Sequence, residues 1–522
     1  MELLSSKFHN TQPTTRLPHL RLPRWRHIAL FAAVAYTLYC YLFSLPLFAH
    51  PLPQHTGPYT VGTIDIEAAV SPDHAIEPDI RFKTTGNSAF ELETVLFTLY
   101  YPITYSDNNN NNNRATAQPR RHPWIPAPLS LRAQGYAKAA HINNWLANAL
   151  FTVIIRALVG SITIPAAVDA PLIDALTSDK PASPQQVPPS QNRGHPVIIF
   201  SHGTVSSRTD YSHFAGELAA RGYIVAMLEH RDGSCPGTII NAPNKPPRPL
   251  LLFSHTEVSF PNHTTPTIET FHAAQLAFRE AEIEETVHVL KRINAGDGPF
   301  LSTSNPRSEG TTLSTWKSRL NTNVMLIAGH SYGATGALQS LRGGPTPTRP
   351  FAGAILLDPG KSSGPLNTDV RVPLLVVHSN TWSSQSSLFY GGRAHFDTVR
   401  DIVTDNLARG NPSWFMTSLG TSHPSVTDAP LLEPWLLSFT TGATIDVYQG
   451  LRQYVHVAED FVWLVLGDGE MRGLLGERAE FPAYEAGWGF GVWKPGQGGG
   501  EREGGEWWDW RRYWQIHVSP VG

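Results

Sequence analysis

The sequence predicts an α/β architecture: a mostly parallel central sheet flanked by helices and preceded by an N-terminal membrane-spanning helix. Three observations lead there. Between residues 196 and 419, apolar runs of strand length alternate with helix-compatible stretches, the pattern of strands buried on both faces of a parallel sheet. One run, Val324 to Ala328, leads into Gly329-His330-Ser331-Tyr332-Gly333 and then a small-residue stretch with Ala334, Gly336 and Ala337. That is the strand, sharp turn and helix of a nucleophile elbow, which makes Ser331 the candidate nucleophile. Finally, an uncharged apolar run covers Ile28 to Ala49 behind a basic leader.

The leader, residues 1 to 27, carries Lys7, Arg16, Arg21, Arg24 and Arg26, and no Lys or Arg follows the apolar run until Arg81. The charge bias places a signal anchor over 28–49, with the N-terminus in the cytosol and the rest of the chain lumenal or extracellular. The alternative is a secreted protein whose signal peptide ends near Leu47-Phe48-Ala49. In either case Asn262-His263-Thr264 is a glycosylation acceptor triplet. From Pro58 to Tyr101 apolar and polar residues alternate, as in half-buried antiparallel strands. The Asn run 108–113 is a low-complexity loop. Between Trp145 and Leu158 apolar or small residues recur at helical spacing, with Arg156 the one charge. By itself this stripe reads as a helix packed on the core; the alternative is that Trp145, Leu146, Leu150 and Ile154 dip into a lipid surface. A Pro- and Ser-rich loop over 181–194 precedes the catalytic core.

The core then reads in order. Strands are expected at Pro196–Phe200 and Tyr223–Leu228, with a helix at Tyr211–Arg221 between them and a long helix at Phe278–Ile293. The elbow follows, then strands at Ala352–Leu357, Val372–Val377 and Trp414–Leu419. The hydrolase domain is placed at 58–466; the Gly- and Trp-rich residues 467–522 show no periodicity and are expected to be a disordered tail.

Composition narrows the chemistry. A net charge of −3 over 522 residues leaves no electrostatic footprint for nucleic acid. Two Cys give no disulfide framework and no C-x-x-C pair, and the 22 His include no H-E-x-x-H. A serine nucleophile needs a base, itself oriented by an acid. Downstream of Ser331, Asp358 follows one strand directly and His423 follows another, in the order such elbows use. His378 and His395 are the other candidate bases, and Asp397 and Asp401 the other acids. The oxyanion requires two donors. The Tyr332 amide is one, and the loop Ser201-His202-Gly203-Thr204 supplies the Thr204 amide as the other, with His202 bracing the loop.

The stretches FSHGTVSSRTDYSHFAGELAARGYIVAMLEHRDGS, AGHSYGATGAL and ILLDP, and WIP followed by GSITIPAAVDAPL, resemble the platelet-activating-factor acetylhydrolases, the lipoprotein-associated type of phospholipase A2. The resemblance runs from about Val61 to Leu466. It implies an α/β-hydrolase fold, no cofactor and no metal, and hydrolysis of the sn-2 ester of phospholipids with short or oxidised acyl chains. It carries the triad onto Ser331, Asp358 and His423 and the oxyanion donors onto Thr204 and Tyr332. The stripe at Trp145 to Leu158 becomes a membrane-docking helix, so phospholipid and membrane are the expected partners. The competing expectations are an esterase for soluble or polymeric esters and a catalytically silent lipid-binding protein.

Overall fold

The computed structural model describes residues 24–43, 45–103, 119–173, 194–385, 387, 392–467, 469–486 and 510–521. The low-complexity Asn run and most of the 181–194 loop lie outside them. Ten strands form one sheet: β1 Thr60–Ala75, β2 Glu91–Ile103, β3 Ala167–Val168, β4 His195–Ser201, β5 Ile224–Glu229, β6 Leu320–His330, β7 Phe351–Leu357, β8 Leu374–Ser379, β9 Ser413–Ser418 and β10 Trp514–Val518. Their spatial order is β10-β9-β8-β7-β6-β4-β5-β2-β1-β3. The six strands from β9 to β5 are parallel, and β2 and β10 join their two edges antiparallel. The apolar runs are continuous because both faces are covered. Ile198, Phe200, Leu326 and Ala328 face one core, while Val197, Ile199, Met325 and Ile327 face the other.

Ten helices matter for the site: α1 Arg24–Leu42, α2 Leu129–Ala139, α3 Trp145–Val159, α4 Ser212–Ala219, α5 Ile268–Arg292, α6 Tyr332–Gln339, α7 Asn380–Ser384, α8 His395–Ala408, α9 Pro434–Thr441 and α10 Val447–Leu466. Each strand and helix expected between 196 and 419 is present within a few residues, except that α5 starts about ten residues earlier than its apolar pattern suggested. Thr267 fixes that start, its side chain accepting the Thr270 amide as an N-cap.

Two expectations are corrected. The single-pass anchor over 28–49 is not found: among the described residues no helix is long and apolar enough to cross a membrane. The apolar run is divided. Its helical part, Ile28 to Leu42 within α1, is roughly 22 Å long at 1.5 Å per residue, against a hydrocarbon core of about 30 Å. Past Pro46 the chain folds back onto the domain, the Leu47 amide donating to the Ala157 carbonyl and the His50 amide to that of Leu432. The disordered tail is also overturned for the residues described. β10 pairs with β9, and Phe481, Trp510, Trp514 and Ile516 are buried in the core. The Gly-rich composition that suggested disorder belongs mostly to 487–509, outside the described residues.

The helix α3 does not pack as a core helix. None of its residues is buried, and Trp145 is 81%, Leu146 61%, Leu150 55% and Ile154 42% exposed.

Candidate active site

The parallel strands deliver their C-terminal ends to one edge, where the crevice of such sheets lies. There β6 turns abruptly into α6, and Ser331 occupies the turn at φ 56°, ψ −122°. The two flanking glycines leave no space for side chains. A Cβ on Gly329 would come 2.3 Å from the Gly333 carbonyl oxygen, and one on Gly333 would come 1.9 Å from that of Ser201. This close approach sets the nucleophile loop directly against β4, and the Ser331 amide closes the elbow on the Leu357 carbonyl of β7 at 2.9 Å.

Asp358 follows β7 with φ 48° and is buried. Its Oδ1 accepts the Ser379 amide at 2.6 Å and its Oδ2 the Ser379 hydroxyl at 2.7 Å, so the end of β8 fixes the carboxylate plane. His423 completes the chain. Its Nδ1 lies 2.8 Å from Asp358 Oδ2 and its Nε2 3.1 Å from Ser331 Oγ. The imidazole stacks on Trp382 with ring centroids 4.0 Å apart and planes at 10°, and the His423 amide donates to Thr381 Oγ1 at 3.1 Å. Five residues on, buried Asp428 accepts the Trp124 indole N–H and the Ser212 and His213 amides, tying the His423 loop to the start of α4. The other candidates do not join. His378 is wholly buried on β8, its Nδ1 3.4 Å from Ser383 Oγ, and buried His395 lies beside it with ring centroids 5.6 Å apart. Asp397 and Asp401 pair with Arg400 and Arg393 on α8 and just before it.

The 201–204 loop, expected to supply an oxyanion donor, lies against the elbow: a Cβ on Gly203 would meet Ser331 Cβ at 3.1 Å. The Gly203 amide donates to Tyr211 Oη and the Val205 amide to the Ser234 carbonyl, while the Thr204 amide between them has no acceptor among the described residues. His202 Nδ1 lies 2.7 Å from the Gly203 carbonyl, and its Nε2 accepts the His230 amide. Burial, reinforced by the nearby Arg279, pulls His202 down to about 4, so it braces the loop as a neutral ring.

Sequence reasoning missed Arg279. This wholly buried side chain donates to Asp232 at 2.7 Å and to the His202 carbonyl at 2.7 Å, and its guanidinium lies 4.5 Å from the Tyr332 ring centroid. One cation therefore touches both the 201–204 loop and Tyr332, the two stretches expected to supply oxyanion donors. The available signal was weak, because Arg279 shares its buried face of α5 with Gln275, Glu282 and Thr286 as well as apolar residues.

The cavity beside Ser331 is about 480 Å³, within the ordinary range for a small-molecule site. Thr204, Phe253, Phe271, Tyr332, Lys361 and Trp382 are among its lining. Lys138, Ala139 and His141 line it too, and they lead directly into α3.

An elbow serine, a histidine and an aspartate joined in that order, on a mostly parallel α/β sheet, give the geometry of a serine hydrolase. Residues 48–463 match the model of the family described as platelet-activating factor acetylhydrolase, isoform II, and the chain belongs to that family. A putative phospholipase A2 of Schizosaccharomyces pombe is 27% identical over 54% of this chain and 57% of its own length. A platelet-activating factor acetylhydrolase of Cavia porcellus is 26% identical over 64% of this chain and 61% of its own. The matched part thus spans under two thirds of these relatives. A solved ferulic acid esterase from Streptomyces cinnamoneus superposes at a TM-score of 0.42 and 16% identity, over 83% of this chain and 96% of that one, too loosely to bear on fold or function.

Proposed function

We propose that this protein is a serine esterase that removes a short or oxidised acyl chain from the sn-2 position of a glycerophospholipid. The observation that carries this reading is the unbroken chain Asp358 Oδ2, His423, Ser331 Oγ opening into the cavity. In the first half-reaction His423 Nε2 takes the Ser331 proton as Oγ attacks the ester carbonyl carbon. Asp358 keeps the histidine tautomer that presents Nε2 as acceptor and stabilises the imidazolium. The Thr204 and Tyr332 amides receive the oxyanion. Collapse expels the glycerol oxygen of the lysophospholipid, which takes the proton from His423. Water, deprotonated by the same imidazole, then releases the acid and restores Ser331.

The surroundings fit a lipid better than a soluble ester. A 480 Å³ cavity suits a short acyl group and glycerol, not two long chains. The long chain would stay in the aggregate on which the enzyme sits. Trp145, Leu146, Leu150 and Ile154 of α3 form the proposed docking face, extended by exposed Trp435, Leu436 and Phe439 of α9 and by Ile28, Phe31 and Leu38 of α1. The Leu47 and His50 amides tie the segment after α1 to Ala157 of α3 and to Leu432, two residues before α9, and Lys138, Ala139 and His141, just before α3, line the cavity. Secretion is the localisation we carry forward; Asn262 is exposed, and loss of a mobility shift on endoglycosidase treatment would check it.

The test compares a short-chain 2-acetyl phosphatidylcholine with a water-soluble acetyl ester at matched concentrations. Preference for the phospholipid supports the reading, preference for the soluble ester favours a carboxylesterase, and no turnover of either favours a silent lipid-binding protein. Polar replacement of Leu146, Leu150 and Ile154 should weaken vesicle binding while soluble-ester hydrolysis continues.

A further inference from the structure

Setting histidines aside, three of the residues lining the cavity are charged: Lys138, Glu257 and Lys361. Two of them cancel, Lys138 Nζ lying 2.5 Å from Glu257 Oε1. Lys361 is different. Its Nζ donates to the carbonyls of Trp382 at 2.7 Å and Gln385 at 2.8 Å and sits 4.5 Å from the Trp382 ring centroid. Among the described residues it has no carboxylate in ion-pair contact. An ammonium carries three N–H donors, so one is unspent after the two carbonyls. The side chain is partly buried, and burial draws it down to about 8 against the opposing pull of the Asp358 charge. It is therefore a cation at neutral pH that has shed part of its water with Asp358 nearby but no carboxylate in contact, a costly arrangement unless an anion arrives.

Its place in the site says which anion. Lys361 stands three residues after Asp358 and over the indole that stacks on His423, and it lines the same cavity as Ser331. In a glycerophospholipid the phosphodiester is a short glycerol bridge away from the sn-2 ester. We propose that Lys361 is the counter-ion for the substrate phosphodiester and makes the site prefer esters that carry this anion. This inference rests on the phospholipid reading above.

Wild type, Lys361→Met and Lys361→Arg are compared on two soluble substrates, a 1-alkyl-2-acetyl phosphocholine below its micelle concentration and the matching acetylated glycerol ether without phosphate. The ratio of the two kcat/KM values should fall about ten- to hundredfold in Lys361→Met, mostly through KM for the phosphocholine, with Lys361→Arg retaining most of it. The ratio for wild type should also shrink as salt is raised. Because Lys361 ties down the end of α7, Lys361→Met can lower both activities together; an unchanged ratio, whether or not activity falls, overturns the proposal. A wild type that hydrolyses the neutral ester and not the phosphocholine defeats the phospholipid reading instead. Inhibition of neutral-ester hydrolysis then still decides the anion site. Glycerophosphocholine inhibiting wild type and not Lys361→Met upholds a phosphodiester site, inorganic phosphate alone doing so makes it a free-phosphate site and overturns the headgroup assignment, and no Lys361-dependent inhibition by either removes the site altogether.

Discussion

Among the described residues two serine–histidine–carboxylate chains occur, and one of them opens into a cavity while the other is sealed. In the first, Ser331 Oγ, His423 and Asp358 are joined at 3.1 and 2.8 Å. In the second, Ser201 Oγ lies 2.7 Å from His230 Nε2, and His230 Nδ1 lies 2.6 Å from Glu282 Oε2. By distance alone the second is the better triad. It is sealed, with all three residues at most 1% exposed, and its serine ends a regular strand instead of standing on an elbow. Burial pushes the Glu282 carboxyl well above its usual range, with the Asp232 charge adding to it, and burial with Arg279 and His202 holds His230 far below its own. The second chain carries the 201–204 loop proposed to hold the oxyanion: the His230 amide holds His202, and Arg279 spans Ser201 and the His202 carbonyl. A constellation of residue types therefore defines a site only together with access and backbone presentation.

The sharpest way to break this comparison is to remove each nucleophile in turn. Ser331→Ala should abolish labelling by a fluorophosphonate probe and lower kcat by about 10⁶-fold, and Asp358→Asn should cost about 10⁴-fold. Equal labelling of wild type and Ser331→Ala would move the chemistry elsewhere. Ser201→Ala should still label. Next in size, Arg279→Met leaves the Asp232 carboxylate buried and unpaired, which should cost about 3–5 kcal/mol in urea unfolding. In the folded fraction it should lower kcat more than it raises KM, because both oxyanion elements loosen. For Ser201→Ala the loss should be smaller, about 1–3 kcal/mol, from leaving His230 Nε2 without its partner.

Acid should open the sealed chain gradually. His202 binds its proton near pH 4 in the folded protein and near 6.5 once unfolded. Between those values the unfolded chain holds more protons, so stability falls as pH falls, by up to about 1.4 kcal/mol per pH unit for this one group. Urea midpoints from pH 7 to 5 should show the decline, and His202→Gln should flatten it; a slope unchanged by that substitution would show that His202 is not the group responsible.

Much of the site was legible in the sequence because its signals are local. The G-x-S-x-G turn between an apolar strand and a small-residue helix marks Ser331, and strand ends mark Asp358 and His423. The residues missed act across long sequence distances. Arg279 lies 77 residues from the His202 carbonyl it holds, and the aromatic partner of His423, Trp382, comes from the short helix α7 after β8. No periodicity announces either contact.

The sequence by itself determined the layered α/β core, since runs apolar on both faces can be buried only in a covered parallel sheet, and it determined the elbow, since only glycine fits at 329 and 333. Tertiary structure decided the rest. The hydropathy of residues 28–49 reads as one span, but the fold ends the helix at Leu42 and returns the chain to Ala157 and Leu432. The Trp145–Val159 stripe has the same pattern whether its face meets core or solvent, and only packing showed that Ile155 and Val159 touch the core while Trp145, Leu146, Leu150 and Ile154 stay exposed among the described residues. Exposure and long-range pairing are properties of the whole assembly of elements, which local pattern does not encode.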